Sequence, residues 1–276
     1  MEIIHLPILL GAGLLAGFVA GLIGVGGGVI FAPVLFFYYQ STGIAADVIA
    51  PLTIGSSLFC TLLAAIASAW KQYDKDSVVT RVAVTVGIFS ALAVFLTTRF
   101  ATTQPWYDGR MFQVVFSIVL LTVVARMVTG SKISDERAEP ARERNFGWPA
   151  LAAAGTVAGT VSAAAGVGGG VVLVPAYNQL MRLPIRLATG TSSTTIVLIS
   201  LAGVLNYSIL GWAEVGQPGI VGYVDVVRGM VIAIPSLLTA NIGVRVAHHM
   251  NQRTLRMTFA SIAAVVAVRL LFGALG

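Results

Sequence analysis

Eight apolar runs follow one another along the sequence, and each is about as long as a helix that crosses a lipid bilayer. A crossing helix needs about 20 mostly apolar residues, within a range of about 17–25. The long runs cover 6–23, 48–70, 81–98, 111–129, 148–165, 188–211, 222–244 and 254–273, and two shorter ones cover 29–40 and 171–181. The pattern predicts an all-α polytopic membrane protein.

The composition excludes most other classes of protein. Hydrophobic residues make up 57% of the chain and charged residues 10%, whereas an average soluble domain carries about 25% charge. Water-soluble enzymes, nucleic-acid binders and disordered proteins are therefore excluded, and the partner we expect is the lipid bilayer. With one cysteine and three histidines, we expect no metal site and no cofactor. The same scarcity of nucleophiles and bases argues against a membrane enzyme.

The order long, short, long, long, long occurs twice, and a glycine motif repeats with it. Gly24-Val25-Gly26-Gly27-Gly28-Val29 recurs as Gly166-Val167-Gly168-Gly169-Gly170-Val171. A proline follows each copy at the same distance, at Pro33 and Pro175. Agreement in the same order along both halves indicates an internal duplication.

Hydroxyl-rich and basic positions also match between the halves. Thr53-Ile54-Gly55-Ser56-Ser57 corresponds to Thr189-Gly190-Thr191-Ser192-Ser193. The predicted pairs are Ser56 with Ser192, Ser57 with Ser193, and Arg81 with Arg228.

A polar connector separates the two halves. Residues 130–147 hold 8 of the 28 charged residues and must lie in water. We therefore divide the chain into a first repeat (1–129), a charged cytoplasmic connector (130–147) and a second repeat (148–276).

Five segments per half predict inverted repeats, because an odd number of crossings reverses the orientation of the second half. This topology places 13 of the 17 Lys and Arg residues on one face, whereas four crossings per half would divide them 10 to 7. Basic residues concentrate on the cytoplasmic side. We therefore expect both termini outside, in the periplasm. Whether 29–40 and 171–181 cross fully or are re-entrant stays open.

The glycine motifs are the predicted binding loops. Glycine-rich backbone makes poor helix, and broken backbone is tolerated at membrane depth only where protein encloses it or it lines a cavity. Short helices should begin near Val29 and Val171, and free N–H groups at a helix start attract anions. The alternative is close helix packing through small residues. The substrate-binding candidates are Gly24, Gly26, Gly27, Gly28, Gly166, Gly168, Gly169 and Gly170, with Pro33 and Pro175 as helix-breaking positions.

Hydroxyl side chains on the long segments that follow are the second set of candidates. A hydroxyl can donate to an oxyanion without adding charge, although it can also bond back to its own helix. Every carboxylate, Asp225 included, lies in or next to a predicted loop. We therefore expect backbone dipoles and hydroxyls to hold the substrate. The candidates are Ser56, Ser57, Thr189, Thr191, Ser192 and Ser193.

The duplicated glycine motif, with its prolines and the downstream Ala188-Thr189-Gly190-Thr191-Ser192-Ser193, resembles the sulfite exporter TauE/SafE family of membrane transporters. The resemblance covers both halves and implies transport of sulfite or of sulfonates such as sulfoacetate across the bacterial inner membrane. The first half departs from the pattern because Thr53–Ser57 lacks the glycine of Thr-Gly-Thr. The motif positions are Gly24, Gly26, Gly27, Gly28, Pro33, Gly166, Gly168, Gly169, Gly170, Pro175, Thr189, Gly190, Thr191, Ser192 and Ser193.

The resulting hypothesis is a secondary transporter for a small sulfur-containing oxyanion. Inverted repeats with interrupted helices typically hold substrate near the midplane and work by alternating access. A passive anion channel on the same scaffold and a carrier of another small metabolite remain alternatives. The exact substrate, the transport direction, the coupling ion and the oligomeric state are left open.

Overall fold

The computed structural model describes residues 5–23, 27–129, 146–212, 218–249 and 252–275, and in these ranges the fold consists of ten α-helices and one short hairpin. The first half contains α1 (His5–Ile23), α2 (Gly28–Ser41), α3 (Ala46–Asp74), α4 (Thr80–Thr97) and α5 (Gly109–Thr129). The second half contains α6 (Trp148–Ala165), α7 (Gly170–Pro175), α8 (Ile185–Leu210), α9 (Val226–His249) and α10 (Gln252–Leu275). Single π-helical turns extend α4 over Thr98–Thr102 and α7 over Ala176–Leu180.

The helices confirm the predicted all-α polytopic membrane protein. Three of them, namely α3, α8 and α4 with its extension, are each long and apolar enough to cross a bilayer within the described residues. Large apolar side chains such as Ile88, Leu238 and Val265 are mostly exposed on the helix surfaces. Such a surface suits lipid and would be unfavourable in water.

One predicted span begins later than its hydropathy suggests. The run 222–244 predicts helix from residue 222, but Ile220–Val221 and Val224–Asp225 form an antiparallel hairpin and α9 begins at Val226. Gly219 and Gly222 have φ of 87° and 61°. This left-handed backbone is incompatible with a right-handed helix.

Glycines allow α1 to pack closely along α9. A methyl group on Gly13 would lie 2.4 Å from the Ile232 carbonyl oxygen, and one on Gly17 would lie 2.1 Å from that of Ser236. Because the residue numbers of the contacting pairs increase in the same direction along both helices, α1 and α9 run parallel.

A similar close contact occurs between α6 and α4. Here the glycines belong to the second half and the helix that they contact belongs to the first. A methyl group on Gly155 would lie 2.7 Å from the Val86 carbonyl oxygen, and one on Gly159 would lie 2.3 Å from that of Ser90. The first helix of each half therefore packs on the fourth helix of the other half. This exchange of partners is characteristic of an approximate twofold relation.

Equivalent helices of the two halves meet in antiparallel pairs. Along α3 and α8, a methyl group on Gly203 would lie 2.5 Å from Leu58, and the hydroxyls of Ser68 and Ser193 are 3.0 Å apart. Along α5 and α10, the Ser117 hydroxyl donates to the Ala267 carbonyl oxygen over 3.2 Å. Gln113, one turn earlier on α5, lies beside Gly273, which is further along α10.

These contacts correct the predicted register between the halves. A methyl group on Gly55 would lie 2.3 Å from the Tyr223 carbonyl oxygen, and one on Gly190 would lie 2.0 Å from that of Ser77. Gly55 therefore corresponds to Gly190, so the first half does carry the glycine that it had been predicted to lack. The sequence comparison pairs identical hydroxyl residues. The structure instead pairs the two glycines against which a neighbouring backbone packs closely. The corrected pairs are Ser56 with Thr191 and Ser57 with Ser192.

Candidate functional site

The second glycine motif forms a buried loop where the sequence predicts one. Helix α6 ends at Ala165, and Gly166, Gly168 and Gly169 follow with φ of 70°, 71° and 78°. Glycine adopts this left-handed backbone without steric cost. Helix α7 then begins at Gly170, within one residue of the predicted start.

The loop lies midway along the helices that enclose it. A methyl group on Gly168 would lie 2.5 Å from Cγ2 of Thr61 on α3 and 3.2 Å from Cγ2 of Ile196 on α8. Ile196 is near the middle of the 26-residue helix α8. The loop therefore sits far from both ends of a helix of membrane-crossing length.

The start of α2 brings part of the first motif to the same place. Gly24 and Gly26 lie outside the described residues, while Gly27 and Gly28 are buried. A methyl group on Gly28 would lie 2.7 Å from the carbonyl carbon and oxygen of Val167. The first motif therefore contacts the second through backbone atoms, and any larger residue at position 28 would separate them.

The last carbonyls of α6 are occupied by donors. The Gly166 N–H donates to Ser162 O over 2.8 Å, the Tyr207 hydroxyl donates to Ala163 O over 2.8 Å, and the Tyr107 hydroxyl donates to Ala164 O over 2.7 Å. Burial raises the pKa of the Tyr107 phenol, which keeps it a neutral donor. These bonds satisfy groups that a helix end leaves open. Neither tyrosine belongs to a motif that would predict these contacts from the sequence.

The opposite end of the loop presents donors instead. Among the described residues, the N–H groups of Gly168, Gly169 and Gly170 have no backbone acceptor. The Gly169 carbonyl already accepts from Val172 and Leu173 in the first turn of α7. Within the described part of the chain, the loop thus combines satisfied acceptors with donors that have no backbone acceptor.

Buried hydroxyls without partners lie around the same loop. Thr61 and Ser200 are fully buried, and their side-chain oxygens have no hydrogen-bond partner in the described part of the chain. Ser200 Oγ would be 3.4 Å from a methyl group on Gly168. A buried polar group without a partner costs about 1–3 kcal/mol, so such groups call for an explanation. Ser162 and Ser192 are further unpartnered hydroxyls within the described residues.

The structure assigns different contacts to the predicted hydroxyls. Ser57 Oγ donates to the Gly166 carbonyl over 2.8 Å and so holds the second glycine loop. Ser56 Oγ accepts from the Asp225 N–H over 2.8 Å, and Thr191 Oγ1 accepts from the Val79 N–H over 3.0 Å. These two reciprocal bonds hold the residues that immediately precede α9 and α4.

Two other candidates bond back to their own helix. Thr189 Oγ1 donates to Ile185 O over 2.9 Å, and Ser193 Oγ donates to Thr189 O over 3.0 Å. Their predicted role in substrate binding stays a prediction.

The two prolines occupy different positions in their helices. Pro175 is the last residue of α7, and the helical backbone continues from it into the π-helical turn Ala176–Leu180. Pro33 lies inside α2, which continues to Ser41. The prediction that Pro33 breaks its helix is therefore wrong. A proline removes one backbone donor and strains the preceding turn, and here the rest of the helix tolerates both.

A charged cluster joins the far end of α2 to the start of α9. Asp225 Oδ2 lies 2.6 Å from Arg228 Nη1 and 3.2 Å from the Tyr39 hydroxyl, and Asp225 Oδ1 accepts the Arg228 N–H over 2.9 Å. Arg228 Nε donates to the Tyr38 hydroxyl over 3.1 Å. Ser56 joins the cluster at 3.1 Å from the Tyr39 hydroxyl. We call these five residues the charge cluster.

The charge cluster corrects the expectation that Asp225 simply borders a loop. Its side chain is completely buried, because the hairpin folds it inward as the cap of α9. The signal available in the sequence was an acid at a helix start with an arginine three residues later. Polarity alone cannot separate that pattern from an exposed helix cap.

Comparison with known proteins agrees with the fold. The family model described as sulfite exporter TauE/SafE matches residues 9–270. A probable membrane transporter protein of Methanocaldococcus jannaschii is 27% identical over 96% of this chain and 95% of its own length. A probable membrane transporter protein of Haemophilus influenzae is 25% identical over 94% of this chain and 95% of its own length. No solved structure matches the chain significantly.

Proposed function

The chain belongs to the sulfite exporter TauE/SafE family of membrane transporters, and from that premise we propose that it carries a small sulfur-containing oxyanion, sulfite or an organosulfonate. The family and the similar transporters support a multi-pass membrane transporter rather than an enzyme. The substrate class and the mechanism are our proposal.

The observation that carries the proposal is the chemistry of the second glycine loop. Among the described residues, the N–H groups of Gly168–Gly170 have no backbone acceptor and the hydroxyls of Thr61 and Ser200 have no partner. Ser200 Oγ and the methyl group of Thr61 face Gly168 in a buried place midway along α8. Backbone N–H groups and hydroxyls are donors that suit the oxygens of an anion. The contact between Gly28 and Val167 adds the positive end of α2.

We further propose that the two halves are inverted repeats that alternate access to this site. A twofold axis in the membrane plane makes equivalent helices antiparallel, which agrees with the contacts of α3 with α8 and of α5 with α10. Binding sites between inverted repeats lie near the midplane. The basic residues favour the cytoplasmic membrane with both termini periplasmic and the connector cytoplasmic.

The test removes the two unpartnered hydroxyls while leaving the backbone intact. In proteoliposomes, we expect the variant with Thr61→Val and Ser200→Ala to carry sulfite and sulfoacetate about tenfold more slowly than the wild type, because two donors to the oxyanion are lost. Its thermal stability should be equal or higher, since two unsatisfied buried groups disappear.

Thr122→Val is the matched control. Thr122 is exposed, and its hydroxyl donates to Ile118 O of its own helix over 2.8 Å, so flux should remain at the wild-type rate. Wild-type flux in the double variant would contradict the role assigned to the loop.

A further inference from the structure

The charged pair of the cluster, Asp225 and Arg228, has no counterpart at the matching positions of the first half. In the corrected register, Asp225 and Val79 are equivalent, because each donates its N–H to a hydroxyl of the other half. Three residues later, Arg228 corresponds to Val82, which is buried. The predicted match of Arg81 with Arg228 is therefore wrong, and Arg81 is an exposed residue. The duplication provides no structural reason for a charged pair in the second half alone.

The two charged side chains differ in access. Asp225 has no exposed surface, whereas 18% of the Arg228 side chain is exposed. An ion that approaches from the surface can therefore reach the guanidinium but not the carboxylate.

The guanidinium also has donors to spare. Arginine has five N–H donors arranged in a plane, and the Tyr38 hydroxyl and Asp225 accept from Nε and Nη1. Nη2 has no acceptor among the described residues. A planar fork of this kind matches two oxygens of one oxyanion.

Helix α2 links the charge cluster to the glycine loop. Tyr38 and Tyr39 lie near its end and Gly28 at its start, a separation of about 16 Å along the helix. Because a helix moves as a unit, a displacement at one end shifts the other.

We propose that Arg228 is an anion-binding residue on the periplasmic side of the transport path, whose accessible Nη2 receives the oxyanion while Asp225 stays paired with Nη1. Displacing Asp225 would leave a completely buried carboxylate without its partner, which is strongly unfavourable. The equivalent position on the other side holds Val82, so this binding operates on one side only. This inference rests on the proposed transport of an oxyanion.

The experiment measures binding of sulfite and of sulfoacetate to purified protein by calorimetry. The double variant Asp225→Asn with Arg228→Gln removes both charges together, so no buried charge is left unpaired. Asn still caps α9, since it ranks with Asp as a helix cap. We expect this variant to melt near the wild-type temperature and to bind about tenfold more weakly or worse, since a charge-assisted contact is lost.

Arg269→Gln is the matched control. Arg269 is exposed and packs over the Phe37 ring at 5.1 Å, and its loss should leave binding unchanged. The single variant Asp225→Asn should bind both anions more tightly than the wild type, because the Arg228 guanidinium then has no carboxylate partner and the bound anion no longer lies near a second negative charge.

The outcomes separate this inference from the proposed function. Wild-type affinity in the double variant, or unchanged affinity in Asp225→Asn, overturns the assignment of Arg228 while leaving anion transport in place. A wild-type protein that binds and transports neither anion overturns the proposed function and this inference with it.

Discussion

The second glycine loop keeps its shape through a few side chains that lie outside the motif. Ser57 holds the Gly166 carbonyl, and Tyr107 and Tyr207 occupy the last carbonyls of α6. Among the described residues, the N–H groups of Gly168–Gly170 have no backbone acceptor, and we propose that the loop presents them to the substrate. The tyrosines therefore support the site without being part of it.

We predict that Tyr207→Phe destabilises the protein by about 1–3 kcal/mol, because the buried Ala163 carbonyl loses its partner. The hydroxyl also lies within hydrogen-bonding distance of Thr102 Oγ1, a second contact that the change removes. The measurement is equilibrium unfolding of purified protein in detergent.

Tyr73→Phe serves as the comparison for Tyr207, since Tyr73 is 71% exposed and its hydroxyl should contribute little to stability. Equal unfolding curves for the Tyr207 variant and the wild type would show that the cap is dispensable.

Some of these residues could be predicted from sequence and others could not. The left-handed glycines were predictable because no other residue adopts that backbone without strain. The burial of Asp225 was not, because it depends on a hairpin whose short polar sequence looks like any loop. The bond of Tyr207 to the end of α6 could not be predicted either, since an aromatic residue near a span end usually marks the membrane interface.

Small residues decide which helices pair. Gly13 and Gly17 place α1 against α9, and Gly155 and Gly159 place α6 against α4. Close approach through small residues is a common way for helices to associate in a membrane. The first and second halves of the chain therefore pack on each other through these helices.

We predict that Gly17→Leu destabilises the protein by about 1–3 kcal/mol, because overpacking forces α1 and α9 apart. A methyl group at this position would already lie 2.4 Å from Cα of Ser236. Thermal melting of the purified variant measures the effect, and Gly159→Leu should behave in the same way.

Gly11→Leu controls for the glycine replacement itself, since nothing lies within 4 Å of a methyl group at Gly11. If Gly11→Leu and Gly17→Leu melt at the same temperature, the close contact between α1 and α9 does not determine stability.

Helix positions were largely predictable because each span needs a long apolar run, and the observed ends lie within a few residues of those runs. Which residues of the two halves correspond to each other was harder to predict from the sequence. A sequence comparison matches identical side chains. In the structure, Gly55 pairs with Gly190 because each packs against the backbone of the segment that precedes a helix of the other half. The start of α9 was displaced by Gly219 and Gly222, whose backbone no hydropathy pattern reports.

For the whole molecule, the proposed mechanism places one site between two halves of opposite orientation. The contacts of α3 with α8 and of α5 with α10 cross between the halves, so movement of one half against the other must change the surroundings of the glycine loop. A carrier follows from such movement, whereas a passive channel would need a continuous open path.

The most direct test of oxyanion transport is counterflow in proteoliposomes that contain the purified protein. Uptake of labelled sulfite should rise when the vesicles are preloaded with unlabelled sulfite or sulfoacetate, because a carrier returns faster when loaded. The variant with Thr61→Val and Ser200→Ala should show this stimulation much more weakly. Uptake that is rapid but unaffected by preloading would indicate a channel, and no uptake of either anion would contradict the proposed function.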